Sequence, residues 1–317
     1  MMAVHSTGTA VAAAGATEAT VAADEVCASC GKAEVDDVKL KKCACGLVKY
    51  CSIACQKDHR SKHKKSCKKK LAELRDEILF KQPDSSHLGE CPICCLPLSI
   101  DKSTSSIMSC CSNFICRGCN YANQAREIQE GLKRRCAFCR EPVAKSQAEA
   151  YKDMMNRIKK NDPVAMFAMG KNHYHEGDYE RALEYLTKAA EQGDVEAHFW
   201  LSCLYRDGEG VEKDVEKEVY HAEEAAIGGH PSARHNLGVH EWRNGRYERA
   251  KKHIIIAAIL GHDDSLKLLK DLYGNGYVSK EKYANALRVY QATLEKTKSP
   301  ERETAEEAIK RGEVEIF

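Results

Sequence analysis

Beyond about residue 162 the apolar positions fall on a helical period. Tyr179, Ala182, Leu183, Leu186 and Ala190 recur at i, i+3, i+4, i+7 and i+11, one face of a helix. Asp162–Pro163 supplies an N-cap followed by a first-turn proline. Gly193 follows the Ala189–Ala190 pair, where a left-handed helix cap would fall. The pattern then repeats. Shifted so that Ala165 falls on Ala233, Tyr174 meets Trp242, Tyr179 meets Tyr247, Ala182 meets Ala250, and Gly193 meets Gly261. An intermediate unit places Ala225–Ala226 and Gly229 on the same template, and Ala165, Ala197, Ala233 and Ser265 open successive units. The second unit carries a longer inner turn, Asp207 to Asp214, and the fourth loses the Ala pair and the Gly as an end cap would. Each unit reads as two antiparallel helices, and at least about three such units are needed to bury a continuous core. The spacing predicts an all-α solenoid of helix-pair repeats over 162–298.

Upstream the pattern changes. Residues 24–70 and 88–145 lack long periodic apolar segments, and neither is large enough to build a sufficient core without staples. Between them Leu71, Leu74, Ile78 and Leu79 are helically spaced before a Pro83–Ser86 linker, so 71–87 is read as a helical linker. Residues 146–161 are read as a connecting helix and 299–317 as a C-terminal helix and tail. The Ala/Thr/Val-rich residues 1–23 are expected to be a disordered tail. The longest dense apolar run, Ile254 to Leu260, falls far short of the ~20 residues a membrane-spanning helix needs. The formal net charge of +2 argues against whole-protein electrostatic binding to nucleic acid or membrane. The basic run from Lys57 to Lys70 is read as the solvated face of a helix, so direct nucleic-acid recognition is not expected.

Cysteine usage adds the chemistry. Sixteen of the 17 cysteines lie between Cys27 and Cys139 and only Cys203 lies outside. The segment before Cys27 lacks the basic start and compact apolar core of an export signal, so the thiols are expected to stay reduced, in cytosol, nucleus or both. Reduced thiols in closely spaced pairs point to metal rather than disulfides. The first constellation reads Cys27-x-x-Cys30, Cys43-x-Cys45, Cys51-x-x-x-Cys55 and His63-x-x-x-Cys67, eight ligands for two tetrahedral sites. His59 competes with His63, whose i,i+4 partner Cys67 favours it. With Lys49-Tyr50-Cys51-Ser52 and Cys55-Gln56, this spacing resembles the MYND finger. The resemblance implies one site from Cys27, Cys30, Cys51 and Cys55 and another from Cys43, Cys45, His63 and Cys67. It also implies a peptide-binding module, often for proline-containing motifs. The short Cys43-x-Cys45 pair departs from the family's usual two-residue gap. No methyltransferase-type domain is legible in the rest of the chain.

The second constellation reads Cys91-x-x-Cys94, Cys110-Cys111, Cys116-x-x-Cys119 and Cys136-x-x-Cys139, with Cys95 spare. Cys91-Pro-Ile-Cys94, Phe114-Ile-Cys116-Arg-Gly-Cys119 and Cys136-Ala-Phe-Cys139-Arg-Glu-Pro142 make it resemble an all-cysteine RING finger. That family's cross-brace implies that Cys91, Cys94, Cys116 and Cys119 share one ion while Cys110, Cys111, Cys136 and Cys139 share the other. Either both adjacent thiolates of Cys110-Cys111 bind, or a water replaces one. Asn113, where relatives carry His, is a poor zinc ligand. Ala122, Ala125, Ile128 and Leu132 match the helix expected between the last pairs. The resemblance further implies that Ile93, Arg140 and Pro142 contact a ubiquitin-conjugating enzyme or its ubiquitin, with no covalent chemistry in the finger itself.

The repeats, through Gly208-Glu-Gly-Val-Glu-Lys-Asp214 and the Ala-Ala-x-x-Gly endings, resemble SEL-one-like repeats, relatives of the tetratricopeptide repeat that generally bind proteins. Tyr174, Trp200 and Trp242 are read as core. His173, His175, His198, His221, His235, His240 and His253 show no consistent ligand spacing and are assigned no metal. The overall expectation is of small zinc-stapled α+β domains (a MYND finger and a RING finger) followed by an all-α solenoid. Four Zn2+ ions and no catalytic residue are expected. The implied function is a RING-type ubiquitin-protein ligase whose repeats and MYND finger hold clients; the alternative is a non-enzymatic zinc-finger scaffold or adaptor. A zinc hydrolase ranks below both, because these 16 ligands close four coordination shells.

Overall fold

The computed structural model describes residues 26–35 and 38–312. The expected tail over 1–23 and the last residues of the C-terminal tail lie outside them. The chain divides into two compact units, one ending at Glu77 and one beginning at Ile78.

In the first unit, strands β1 (Lys41–Lys42) and β2 (Lys49–Tyr50) pair antiparallel, Lys41 opposite Tyr50. Helix α1 (Ile53–Leu79) follows. The unit's interior is Cys27, Leu40, Cys43, Cys45 and Tyr50, so thiols supply most of what little is buried. Helix α1 runs without a break through the 70/71 limit between finger and linker. Of its expected apolar stripe only Leu79 is fully buried; Leu71 and Ile78 face solvent.

The second unit opens at the end of that helix. Leu79 packs among Ala222, Ala225, Ala226, Ala233 and Leu237. The wholly buried Arg234 donates to the Leu79 carbonyl (2.7 Å) and the Lys81 carbonyl (3.4 Å). It thereby satisfies the last carbonyl of α1, at the negative end of the dipole, and one in the segment just beyond it. Then come β3 (Ser105–Ile107) and β4 (Phe114–Cys116), antiparallel with Ser106 opposite Ile115, and helix α2 (Arg117–Gln129). Leu98, Met108 and Ile115 join Cys91, Cys116 and Cys136 in the core of this module.

After α3 (Gln147–Ile158), four helix pairs form the array: α4 (Pro163–His175) with α5 (Tyr179–Glu191), α6 (Val195–Asp207) with α7 (Val215–Ile227), α8 (Pro231–Arg243) with α9 (Tyr247–Ile259), and α10 (Asp263–Gly274) with α11 (Lys280–Lys296). The Asp162 carboxylate accepts from the Val164 and Ala165 amides, as an N-cap should. Gly193 sits at φ 84°, with its amide on the Ala190 carbonyl and that of Asp194 on the Ala189 carbonyl. This double bond is the Schellman arrangement, and the left-handed φ explains why glycine stands there. The small Ala182, Ala189, Ala190 and Ala197 let neighbouring helices close on Leu186, Leu201 and Leu204. Tyr174, Trp200 and Trp242 are half-buried, packed against these cores.

Helix α12 (Pro300–Lys310) closes the unit by turning back onto α2, with Ala305 and Ala308 buried. The module around Cys91–Cys139 is therefore built into the array and is not an appendage. The hydroxyl of Ser109 donates to Asp153 of α3 (3.2 Å), and Ile107 packs against the first repeat's core.

Candidate metal centres

Four groups of thiol and imidazole atoms converge, each with its ligand atoms within 4.8 Å of one another: Cys27/Cys30/Cys51/Cys55, Cys43/Cys45/His63/Cys67, Cys91/Cys94/Cys116/Cys119 and Cys110/Cys111/Cys136/Cys139. These are the sixteen residues expected, in the interleaved pairing that the resemblances imply. Sulfur separations are 3.5 Å for Cys30–Cys51, 3.7 Å for Cys43–Cys67, 3.8 Å for Cys94–Cys116 and 3.9 Å for Cys111–Cys136. Four Zn–S bonds of ~2.3 Å in a tetrahedron put sulfurs about 3.8 Å apart, whereas a disulfide needs about 2.05 Å. The donor sets fit zinc, and no disulfide occurs among the described residues.

Local structure explains each convergence. Cys51 and Cys55 flank the start of α1, and His63 and Cys67 lie one turn apart along it. The short Cys43-x-Cys45 pair closes through a tight turn in which the Gly46 amide donates to the Cys43 carbonyl (2.8 Å). His63 brings Nε2 to 3.1 Å from Cys45, while its Nδ1 is 3.2 Å from the Ser66 hydroxyl, an outer partner that orients the ring. His59 turns away to the Tyr50 hydroxyl (3.0 Å). Both adjacent thiols converge in the last group, Cys110 at 3.4 Å from Cys139 and Cys111 beside Cys136. Asn113 donates to the Cys111 carbonyl and stays outside, as does the exposed Cys95.

The electrostatics ask for a cation. A hydrogen bond from Cys116 draws the Cys91 thiol down to about 4, outweighing its desolvation, and the same bond pushes Cys116 upward. Hydrogen bonds that Cys51 donates to Cys30 and then to Cys55 hold its thiol up at about 12. Thiols this close cannot all ionise unless a positive ion sits between them.

The three expected partner-contact residues border the third and fourth groups. Ile93 is 40% exposed between Cys91 and Cys94, and Pro142 is exposed beside Arg135, its bridge partner. Arg140 takes a left-handed backbone (φ 64°), and its guanidinium donates to Asn123 Oδ1 at 2.9 Å. The helix expected over Ala122, Ala125, Ile128 and Leu132 is present as α2 but stops at Gln129, and Ile128 (70% exposed) and Leu132 (52%) point out. The other side of α2 is the one covered, by α12.

Two constellations escaped the sequence reading. Arg302 of α12 donates to the Pro97 carbonyl (2.7 Å), the Leu96 carbonyl (3.2 Å) and the Cys94 sulfur (3.4 Å). A guanidinium beside a ligating thiolate stabilises its negative charge. A Cβ on Gly118 would lie 2.9 Å from the Arg302 backbone nitrogen, so glycine there makes room for α12. The second is the buried group His87, Glu196 and His230. His87 Nε2–H donates to Glu196 (2.9 Å), and His87 stacks on His230 at 4.4 Å. His230 Nδ1 accepts the Ala233 amide as the N-cap of α8, so its proton sits on Nε2. A metal at Nε2 would have to displace that proton. The group therefore ties His87, in the segment before Cys91, to the first turn of α6 and the N-cap of α8. Neither constellation has a local spacing signal; the residues are brought together by the fold alone.

Geometry of this kind defines a protein that joins zinc-finger modules to a helical-repeat platform. The MYND finger model matches residues 27–67 and the Sel1 repeat model matches 163–194 and 195–230, so the chain carries a MYND finger and Sel1 repeats. Among solved structures, a Sel1 repeat protein from Oxalobacter formigenes is 25% identical over 55% of this chain and 71% of its own, with a TM-score of 0.42. A protective antigen of uropathogenic Escherichia coli displaying an SLR fold is 19% identical over 63% of this chain and 41% of its own, with a TM-score of 0.38. Zinc fingers combined with Sel1 repeats make a protein-interaction architecture. No helix among the described residues is long and apolar enough to cross a membrane.

Proposed function

We propose that the chain is a RING-type ubiquitin-protein ligase, with four zinc ions held by the sixteen ligands named above. The module over 88–145 engages the ubiquitin-conjugating enzyme, the repeats over 162–298 hold a client, and the finger over 24–70 takes a proline-containing peptide. It works in cytosol or nucleus, where its thiols stay reduced. The observation that carries this reading is the interleaving of Cys91/Cys94/Cys116/Cys119 with Cys110/Cys111/Cys136/Cys139, whose two outer loops bear the exposed Ile93 and Pro142. An apolar side chain left in solvent beside a rigid metal knot suits docking better than packing. The zinc supplies no reaction chemistry here; it crosslinks the loops. The chain's contribution is to hold a loaded thioester in an attack-ready geometry, and Arg140 has the planar fork suited to bridging two acceptors.

Discharge of ubiquitin from a loaded conjugating enzyme to free lysine tests this. Ile93→Ala should abolish stimulated discharge, and Arg140→Ala should reduce it at unchanged enzyme binding. Full activity in the double variant would sink the mechanism. The second reading, a non-enzymatic scaffold, is favoured by one observation: the Arg140 guanidinium already rests on Asn123. Asn123→Ala frees that guanidinium. Discharge that rises in this variant supports the ligase, and absence of discharge with every conjugating enzyme supports the scaffold.

A further inference from the structure

The internal symmetry of the array exposes a difference between two places that should be alike. Helices α4, α5 and α6 begin at Pro163, Tyr179 and Val195, and α8, α9 and α10 keep the same intervals, beginning at Pro231, Tyr247 and Asp263. In the first set the indole of Trp200 on α6 lies edge-on to Tyr174 of α4, ring centres 4.7 Å apart, above Leu186 and Leu204. In the second set Trp242 replaces Tyr174, Ile254 replaces Leu186 and Leu272 replaces Leu204, but Leu268 stands where the indole was. Trp242 keeps its edge-on neighbour Tyr247 (4.8 Å), the counterpart of Tyr179, and meets Tyr277 from the following turn (5.0 Å). The place of the missing indole is a cavity of about 300 Å³, lined by Trp242, Ile254, Leu268, Leu272 and Tyr277.

The rim is charged. Arg243 and Asp271 border the cavity, and both are exposed with no ion pair among the described residues. Arg243 occupies the position of His175, which in the first set lies edge-on to Trp200 at 5.5 Å. The apolar floor selects an aromatic side chain; of the two rim charges, Arg243 at the end of α8 favours an acidic neighbour on its side, while Asp271 on α10 keeps acid off the other. The ring gains edge and face contacts with Trp242 and Tyr277, and the acid meets Arg243. The cavity's volume is at the lower end for ligand sites and is enough for one large side chain.

We propose that the cavity between α8, α9 and α10 is a receptor for a tryptophan side chain of a partner protein, presented in a segment with an acidic residue beside it. This deepens the client-holding role proposed for the repeats and does not depend on ligase activity. The partner's indole would restore in trans the packing that Trp200 makes in cis.

The test uses the full zinc-loaded chain and a dye-labelled blocked peptide with one tryptophan flanked by glutamates, read by fluorescence anisotropy. Saturable binding is expected, weakened at least tenfold when leucine replaces the peptide's tryptophan or lysines replace its glutamates. Leu268→Trp, which fills the cavity from within, should abolish binding while leaving the thermal midpoint unchanged or higher. Arg243→Glu should prefer the lysine peptide. Equal binding by the wild type and by folded Leu268→Trp would overturn the inference while leaving the repeats as a client platform that binds elsewhere. If Leu268→Trp misfolds, a phenylalanine version of the peptide still decides, since it must shift the emission of Trp242 in the wild type and not in Trp242→Phe. No shift overturns the proposal. Self-association that Leu268→Trp abolishes would give the cavity to a second copy of the chain and overturn the assignment to a partner protein.

Discussion

The two cysteine-rich modules each bring eight thiol or imidazole groups into two clusters over a comparable span, yet they are stabilised differently. The first buries Leu40 and Tyr50 besides its own thiols. The second buries Leu98, Met108 and Ile115, is hydrogen-bonded to α3 and is clasped by α12 through Arg302. Equal numbers of clustered thiol and imidazole groups thus conceal unequal cores, and the proposed metal dependence should differ accordingly. A module whose core is its ligand set has nothing left when the ion leaves, whereas one embedded in a larger core keeps its neighbours.

Removing the metal should break the comparison open most widely. A structural zinc site contributes on the order of 10 kcal/mol of metal-coupled folding energy. Under a strong chelator, amide exchange at Tyr50 and Cys51 should become unprotected, and the loops around Cys91 and Cys136 should open. Residues of α5, α8 and α9 should keep their protection. Loss of protection across the whole array in step with the zinc would contradict this ordering.

The next largest effect concerns Arg302. Hydrogen bonds to charged groups are worth about 1.5–3 kcal/mol. Arg302→Ala should therefore speed zinc release from the second module by at least tenfold, with the first module's release unchanged. A chromophoric chelator in stopped flow resolves the two phases; equal acceleration of both would show that the clasp is incidental. Gly118→Val attacks the same contact from the other side. Forcing α12 away should cost about 1–3 kcal/mol, seen as proteolytic release of 299–312 from an otherwise folded chain.

The smallest effect at neutral pH, absent there and growing only with acid, separates acid loss of metal from the array's own response to pH. Burial, with Arg234 and Arg249 nearby, drives His253 down to about 3, and burial with His198 nearby drives His221 down to about 4. Both imidazoles are neutral in the folded array, while the unfolded chain binds protons below about pH 6.5. Stability from these groups is therefore complete above that pH and is lost as pH falls toward 4. The slope is at most about 1.4 kcal/mol per pH unit per group. In a His253→Gln variant the array's melting temperature should fall less steeply between pH 6.5 and 4. An identical slope would assign the acid response to other groups.

What the sequence disclosed follows the range of the interactions. Closely spaced Cys and His pairs are local, so the sixteen positions that converge were legible, and the i,i+4 link to Cys67 was enough to place His63 rather than His59 in the cluster. The repeat was legible because Pro163 and Pro231, or Tyr179 and Tyr247, report the same helix starts. The continuity of α1 was obscured by Leu71 and Ile78, which mimic an apolar stripe but face solvent. The outward turn of Ile128 and Leu132 depends on α12 covering the opposite side of α2, a contact between distant parts of the chain. Glu196 lies 109 residues from His87 and Arg302 lies 208 from Cys94, beyond any motif.

That last separation has a consequence for biogenesis. At about 5–20 residues per second, the ribosome adds Arg302 roughly 10–40 s after Cys94. Until then the loop bearing Cys94 has no clasp, although all eight clustered thiols of that module are already on the chain. Cysteines exposed during that interval are open to oxidation or to the wrong ion. A chaperone or a ready supply of zinc would matter more at this stage than at any later point in the protein's life.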